Sequence, residues 1–128
     1  MPARTVLVVD DDDDIRDLTR LCLEIFARWT VITAPDGPSA LEAARSQQPD
    51  AVLLDMMMPG MDGLTTLGHL RADESTRDIP VILFTAKAQV GDRQPWHGQP
   101  ISGVIAKPFE AKALATTVSS LLGWTEGE

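Results

Sequence analysis

Two short apolar runs of this chain each lead into aspartate. Asp10 and Asp11 follow the apolar residues 6–9, and Asp55 follows the apolar residues 51–54. If both runs are buried parallel strands, their carboxyl ends lie at one edge of a sheet, which is where open α/β folds bind ligands. Three carboxylates at that edge would repel one another unless a divalent cation lay among them, and oxygen ligands of this kind suit Mg²⁺. The sequence therefore predicts an acidic pocket for Mg²⁺ or Mn²⁺.

The elements that would position these acids are strands alternating with longer segments, several of which have helical periodicity. The predicted strands cover residues 5–10, 30–33, 51–55, 81–85 and 103–106. This alternation predicts an α/β fold, in which a parallel sheet carries helices on both faces.

The helical segments are marked by apolar spacing and by turn residues. The first helix follows Asp13 or Asp14, and further helices are predicted after Gly37-Pro38 and after Gly63. The residues predicted to face inward from the first helix are Ile15, Leu18, Cys22, Ile25 and Phe26. The last helix is predicted over residues 110–122, with Ala113, Leu114, Val118, Leu121 and Leu122 facing inward. Between residues 87 and 103, Gly91, Pro95, Gly98 and Pro100 exclude a regular helix of three turns.

Length, charge and cysteine content narrow the function classes. A chain of 128 residues fits a single domain, with a core over about residues 5–122. The net charge of −8 argues against nucleic acid or an anionic membrane surface as the main partner. One cysteine, Cys22, excludes an internal disulfide, and no apolar stretch approaches the length of a membrane span. We therefore expect a cytoplasmic protein.

Four motifs, each at the carboxyl end of a predicted strand, resemble those of the receiver domain of two-component response regulators. The motifs are Val9-Asp10-Asp11, residues 55–63 (DMMMPGMDG), Thr85-Ala86 and Lys107-Pro108-Phe109. The resemblance spans about residues 5–122. The absence of sequence beyond the last helix resembles the single-domain, chemotaxis-type members, and a receiver excised from a larger protein would look identical. The resemblance implies a flavodoxin-like (βα)5 sandwich with a five-stranded parallel sheet in the order 2-1-3-4-5. The glycines and prolines of residues 87–103 predict a fourth helix that is short or irregular in this chain.

The resemblance also implies a phosphoacceptor and a metal site. Asp55 would accept a phosphoryl group from a phosphohistidine on a sensor histidine kinase or a histidine phosphotransfer protein. Asp11 and Asp55 would bind Mg²⁺ directly, Asp10 would act through bound water, and the backbone carbonyl of Met57 would complete the protein ligands.

Two further residues complete the implied chemistry. Thr85 would hydrogen-bond the phosphoryl group and Lys107 would pair with it. Independently of the resemblance, phosphoryl transfer spreads negative charge over oxygens that a metal, an ammonium and a hydroxyl can stabilise from fixed positions. The protein would be a phosphorylation-controlled switch rather than a turnover enzyme.

The chain departs from the family at its signalling face, which relatives build from the fourth helix, the fifth strand and the last helix. Val104 stands where many relatives carry Tyr or Phe, so no ring can reorient on phosphorylation. We expect residues 87–100, including Trp96, to report phosphorylation by ordering instead. A downstream protein would bind this face, and the chain would be a monomer or a phosphorylation-dependent dimer. Met57 and Lys87 would tune the phosphoryl lifetime, with slow self-dephosphorylation expected.

Three alternatives compete with this hypothesis. A pseudo-receiver would keep the fold and signal without phosphate, but the intact acids, Thr85 and Lys107 count against it. A haloacid dehalogenase-type phosphatase places its nucleophile in an Asp-x-Asp pattern, whereas Asp10 and Asp11 are adjacent. Flavin binding by a flavodoxin-like relative needs a phosphate-cradling loop after the first strand, where this chain has five acids. The sequence does not identify the kinase or the downstream target.

Overall fold

The architecture of the chain was obtained from a computed structural model that describes residues 4–85, 98 and 100–124. Five strands lie within these residues. They are β1 (Thr5–Val9), β2 (Thr30–Ala34), β3 (Ala51–Asp55), β4 (Val81–Thr85) and β5 (Gly103–Ala106). All pair in parallel in the order β2-β1-β3-β4-β5, which confirms the predicted topology.

The middle of the sheet explains why its strands read as unbroken apolar runs. Every residue of β3 and β4 is buried, because helices cover both faces of the sheet. The observed bounds of β3, β4 and β5 equal the predicted ones. The predicted first strand included Asp10, but β1 ends at Val9, and β2 continues one residue further than predicted, to Ala34.

Four α-helices lie within the described residues. They are α1 (Asp13–Cys22), α2 (Gly37–Gln47), α3 (Gly63–Ala72) and α4 (Leu114–Leu122). The first three begin after an aspartate whose carboxylate accepts backbone N–H bonds of the first turn, and these caps are Asp12, Asp36 and Asp62. No described helix is long and apolar enough to cross a membrane.

The hydrophobic core forms two layers, one on each face of the sheet. The layer beneath α2 and α3 contains Leu7, Val9, Ala40, Leu54, Leu67, Leu70 and Leu83, among others. The layer beneath α1 and α4 contains Val6, Cys22, Leu23, Leu53, Phe84, Leu114 and Val118, among others. Alternate residues of each central strand enter opposite layers, and the strand ends are therefore held rigidly at the sheet edge.

The predicted inward face of the first helix is wrong at three positions. Leu18, Ile25 and Phe26 are exposed, whereas Thr19 and Leu23 are buried. Thr19 is tolerated inside because its hydroxyl donates to the carbonyl of Ile15, 2.7 Å away.

The exposure of Ile25 and Phe26 has its cause in the residues that follow α1. They form a π-helical segment, Leu23–Ala27, in which the N–H of Arg28 bonds the carbonyl of Leu23. The wider turn rotates the following side chains away from the α-helical pattern. Ile25 and Phe26 consequently face solvent.

The last helix also begins later than predicted. Residues 110–113 precede α4 as a turn, in which the carbonyl of Glu110 accepts hydrogen bonds from the N–H groups of Ala113 and Leu114. Leu114 and Val118 are buried as predicted, while Ala113, Leu121 and Leu122 are half-buried. Gly123, with φ +72°, ends the helix in the left-handed region.

The prediction of a short or irregular helix after β4 concerns residues that include Lys87 and Trp96. Both lie outside the described residues, and these expectations therefore stay predictions.

Candidate functional site

The carboxyl ends of four neighbouring strands form the candidate site. Asp10 follows β1, Asp55 is the last residue of β3, Thr85 is the last residue of β4 and Lys107 follows β5. The N–H of Asp10 donates to the carbonyl of Ala34 at 3.2 Å, which continues the sheet alignment one residue past β1. Residues far apart in the sequence therefore meet at one edge, as predicted.

Lys107 brings a positive charge to this site. Its Nζ lies 2.7 Å from Asp10 Oδ2 and 3.3 Å from Asp55 Oδ1. Its backbone N–H donates to the carbonyl of Thr85 at 2.8 Å, and the peptide bond to Pro108 is cis. Phe109 contacts Phe84 with 5.6 Å between ring centroids. The strand partner and the aromatic contact fix the backbone on both sides of the ammonium.

Asp10 is only 3% exposed, and both of its carboxylate oxygens have partners. Oδ1 accepts the N–H of Asp12 at 3.0 Å, and Oδ2 accepts the Lys107 ammonium. A buried carboxylate is strongly disfavoured without such donors. Asp10 is therefore held in one orientation beside Asp55.

Asp55 is 5% exposed, and the pKa of its carboxyl group is perturbed. Burial, together with the negative charge of Asp10, raises the pKa of Asp55 to about 6. The Lys107 charge and the N–H of Met57, which donates to Oδ1 at 3.3 Å, oppose that rise. For Lys107 itself, burial lowers the pKa, but the contacts with Asp10 and Asp55 outweigh it, so that its pKa is raised. The ammonium is therefore charged at neutral pH.

Three acids of the site suit a metal ion. Asp10, Asp11 and Asp55 each offer one carboxylate oxygen, and these oxygens lie within 4.8 Å of one another. The set consists of hard oxygen donors with excess negative charge, and one member, Asp11, is exposed. These donors fit Mg²⁺ or Mn²⁺ better than softer metals, which favour nitrogen and sulfur.

A close backbone approach shapes the loop that follows Asp55. The N–H of Gly63 donates to the carbonyl of Met56 at 3.0 Å. A Cβ on Gly63 would lie 2.5 Å from the Asp55 carbonyl oxygen, which is too short a distance for any side chain at this position. The glycine thus lets the start of α3 pack directly against the end of β3.

The structure brings together most, but not all, of the residues singled out from the sequence. Asp10, Asp11, Asp55 and Lys107 meet through the contacts above, and Thr85 is buried at the end of the adjacent strand. Met57 lies two residues after Asp55 and is 66% exposed.

Val104 lies outside this cluster. Val104 belongs to β5, where it pairs with Leu83 of β4, and it is half-buried against the core layer beneath α2 and α3.

One residue near the site was missed by sequence reasoning. Arg16, on the first turn of α1, donates to the backbone carbonyl of Asp10 at 2.9 Å and pairs with Asp13. The only signal in the sequence was the spacing of three between Asp13 and Arg16 on a predicted helix, which is a common surface pair.

Comparison with protein families gives a match over nearly the whole chain. Residues 6–119 match the family model described as response regulator receiver domain. A DNA-binding dual master transcriptional regulator, RpaA, from Synechocystis is 37% identical over 94% of this chain and 50% of its own length. The response regulator PleD from Caulobacter vibrioides is 42% identical over 94% of this chain and 26% of its own length. The chain thus spans half or less of the length of these relatives.

Solved structures agree in fold. The chemotaxis protein CheY4 of Vibrio cholerae superposes with a TM-score of 0.81 at 27% identity, covering 94% of this chain and 99% of that one. The N-terminal domain of a response regulator receiver protein from Methanoculleus marisnigri gives 0.75 at 39% identity, covering 94% and 98%. With the order of the sheet and the acidic edge, these matches confirm the resemblance seen in the sequence. The chain belongs to the response regulator receiver domain family.

Proposed function

We propose that this chain is a phosphorylation-controlled switch whose phosphoacceptor is Asp55. The donor would be a phosphohistidine on a sensor histidine kinase or a histidine phosphotransfer protein. The observation that carries the proposal is the contact of the Lys107 ammonium with both Asp10 and Asp55, beside a third acid that completes a set of metal ligands. An ordinary strand end needs neither two buried acids nor a lysine between them.

The metal proposed for this site is Mg²⁺, held by Asp11 and Asp55, with Asp10 acting through water and the Met57 carbonyl as a further ligand. When bound, the ion would neutralise part of the charge that gathers on the phosphoryl oxygens. The three carboxylate oxygens that lie within 4.8 Å of one another support this assignment.

In the proposed reaction, a carboxylate oxygen of Asp55 attacks phosphorus and forms an oxygen–phosphorus bond. The nitrogen–phosphorus bond of the phosphohistidine breaks, and its electron pair returns to the imidazole, which takes up a proton. Asp55 must be ionised to act as the nucleophile. Its pKa of about 6 leaves it mostly ionised at neutral pH.

Lys107 and Thr85 would stabilise the transferred group. Lys107 is already fixed by the Thr85 carbonyl and the Phe84–Phe109 contact, and little reorganisation is needed to place its charge near a phosphoryl group on Asp55. Thr85 ends β4 next to Asp55 on β3, so its hydroxyl can serve as a hydrogen-bond donor. These roles stabilise charge and involve no proton transfer from either residue.

Phosphorylation would then change the binding of a downstream protein. Relatives that carry an aromatic residue at the position of Val104 have a ring that can reorient, but a half-buried valine has none. We therefore propose that the response of this chain depends on backbone segments near Thr85 and Lys107 rather than on a side-chain rotation.

Calorimetry with Mg²⁺ and beryllofluoride, an analogue of the aspartyl phosphate, tests the proposal. The wild-type chain should bind one beryllofluoride in a Mg²⁺-dependent manner, and Asp55→Asn should abolish binding. Asp50→Asn is a matched control, because Asp50 lies at the opposite edge of the sheet and accepts the N–H of Thr5, a role that asparagine retains. Absence of binding in the wild type would indicate a phosphate-independent interaction domain, and binding that survives in Asp55→Asn would mean that Asp55 is not the phosphoacceptor.

A further inference from the structure

We propose that Arg16 is a positioning residue for the metal pocket. It would act through the backbone, by holding the peptide between Asp10 and Asp11 so that the Asp11 carboxylate stays beside those of Asp10 and Asp55. This inference rests on the proposed function, because it presumes that these acids bind Mg²⁺.

The Arg16 side chain is placed to do this. It is only 16% exposed, and its guanidinium donates to the carbonyl oxygen of Asp10 at 2.9 Å while its other nitrogen pairs with Asp13. The Asp13 carboxylate is 82% exposed, so that pair contributes little energy by itself. The contact with Asp10 is the one that reaches the pocket.

The two peptide groups that flank Asp11 are both fixed by this arrangement. The carbonyl of Asp10 belongs to the peptide before Asp11, and Arg16 bonds it. The N–H of Asp12 belongs to the peptide after Asp11, and Asp10 Oδ1 accepts it at 3.0 Å. The backbone dihedrals of Asp11 are therefore set from both sides.

Asp11 needs such support more than the other two acids. Asp10 and Asp55 contact Lys107, whereas the exposed side chain of Asp11 has no hydrogen bond or ion pair within residues 4–85, 98 and 100–124. The position of its carboxylate consequently depends on the backbone that carries it and on its own rotamer, with no neighbouring side chain among the described residues to hold it. A group that orients a ligand from outside the metal's own shell commonly contributes about tenfold to metal affinity.

Charge and position make opposite predictions for Arg16, which makes the inference testable. A cation near the pocket repels Mg²⁺, and removing its charge should tighten binding if charge alone matters. Loss of the hydrogen bond to Asp10 should weaken binding if position matters. Arg16→Lys keeps the charge but has one compact donor group instead of a planar fork, while Arg16→Gln removes the charge.

The experiment is titration of the full chain with Mg²⁺ alone, followed by calorimetry, together with the thermal midpoint of the metal-free protein. We expect Arg16→Lys to bind Mg²⁺ about tenfold more weakly than the wild type. Arg16→Gln should also bind it more weakly, by a smaller factor, because the lost positive charge favours the metal. The control is Arg20→Gln, one turn further along α1, where Arg20 pairs with Asp17 and Glu24 rather than with the loop. Its affinity should equal that of the wild type.

Three results would overturn the inference. Tighter binding by Arg16→Gln with unchanged binding by Arg16→Lys would assign the effect to charge. A lower thermal midpoint with unchanged Mg²⁺ affinity in both variants would assign Arg16 a purely structural role. If the wild type itself binds no Mg²⁺, the metal site of the proposed function fails as well, which separates that failure from the failure of Arg16 alone.

Discussion

The carboxyl edge of the sheet and the π-helical segment after α1 invert the usual distribution of side chains in opposite ways. At the sheet edge, Asp10 and Asp55 are charged residues inside the protein, 3% and 5% exposed. On the π-helical segment, Ile25 and Phe26 are large apolar residues outside the protein, 64% and 51% exposed. The first inversion is accompanied by a lysine and backbone donors, and the second by a change of helical type.

The difference shows which sequence signals survive folding. A strand buried on both faces admits one arrangement, and the residue at its end is placed wherever the sheet ends. A helix face can be rotated by one wider turn, so that an apolar pattern no longer indicates which residues are buried. Buried acids at a strand end therefore indicate a functional site, whereas the apolar spacing of the first helix does not identify the residues that contact the core.

The largest effect should separate two apolar neighbours in the π-helical segment. Leu23 is fully buried, and Leu23→Ala should lower the free energy of unfolding by roughly 2–5 kcal/mol through lost burial and a residual cavity. Ile25→Ala should change it by less than about 0.5 kcal/mol. Urea denaturation of both variants measures the contrast. Equal losses would mean that Ile25 packs inward, as the α-helical pattern predicted.

A smaller effect should appear at the buried acid. The pKa of Asp55 is raised to about 6 in the folded chain, above its ordinary value, so the ionised carboxylate opposes folding above that pH. In metal-free buffer, Asp55→Asn should raise the free energy of unfolding by roughly 1–3 kcal/mol near neutral pH.

The pH dependence gives this prediction its control. The gain in the free energy of unfolding of Asp55→Asn should fade as the pH falls from about 6 to about 4. At the lower pH the wild-type Asp55 carboxyl group is protonated in both the folded and the unfolded state. Denaturant melts across this range measure it, and Asp50→Asn at the opposite sheet edge should show no such gain. A gain independent of pH would contradict the assignment to the charge on Asp55.

The smallest effect should be kinetic, at an exposed apolar side chain two residues after Asp55. Met57 is 66% exposed and cannot orient an attacking water by hydrogen bonding. Met57→Asn should shorten the lifetime of the phosphorylated form several-fold, and Met57→Leu should leave it unchanged. Decay of the phosphoprotein after removal of the donor measures both. An unchanged lifetime in Met57→Asn would exclude this role.

Much of the fold and most of the candidate site could be predicted from the sequence. The strands ending at Asp55, Thr85 and Ala106 were predicted with the observed bounds, because continuous apolar runs between turn residues leave few alternatives. The order of strands and the family came from motifs at those strand ends. The acids and Lys107 lie together because the parallel topology places the carboxyl ends of their strands at one edge of the sheet.

The remaining errors have physical causes. The start of α4 was predicted four residues early, because a turn around Glu110 replaces the first helical turn. The sequence pattern favours Leu18 over Thr19 as the buried residue, because a polar threonine does not contribute to an apolar pattern even when its hydroxyl is bonded within its own helix. Arg16 was missed because its partner is a backbone carbonyl, which carries no mark in the sequence.

Direct phosphorylation tests the central claim. The wild-type chain should be incubated with acetyl phosphate and Mg²⁺, its intact mass measured, and the modified residue located by peptide mapping after borohydride trapping. We expect a single phosphoryl group on Asp55, which disappears in Asp55→Asn and when the metal is chelated. An unmodified wild-type chain, or a phosphoryl group that persists in Asp55→Asn, would contradict the account.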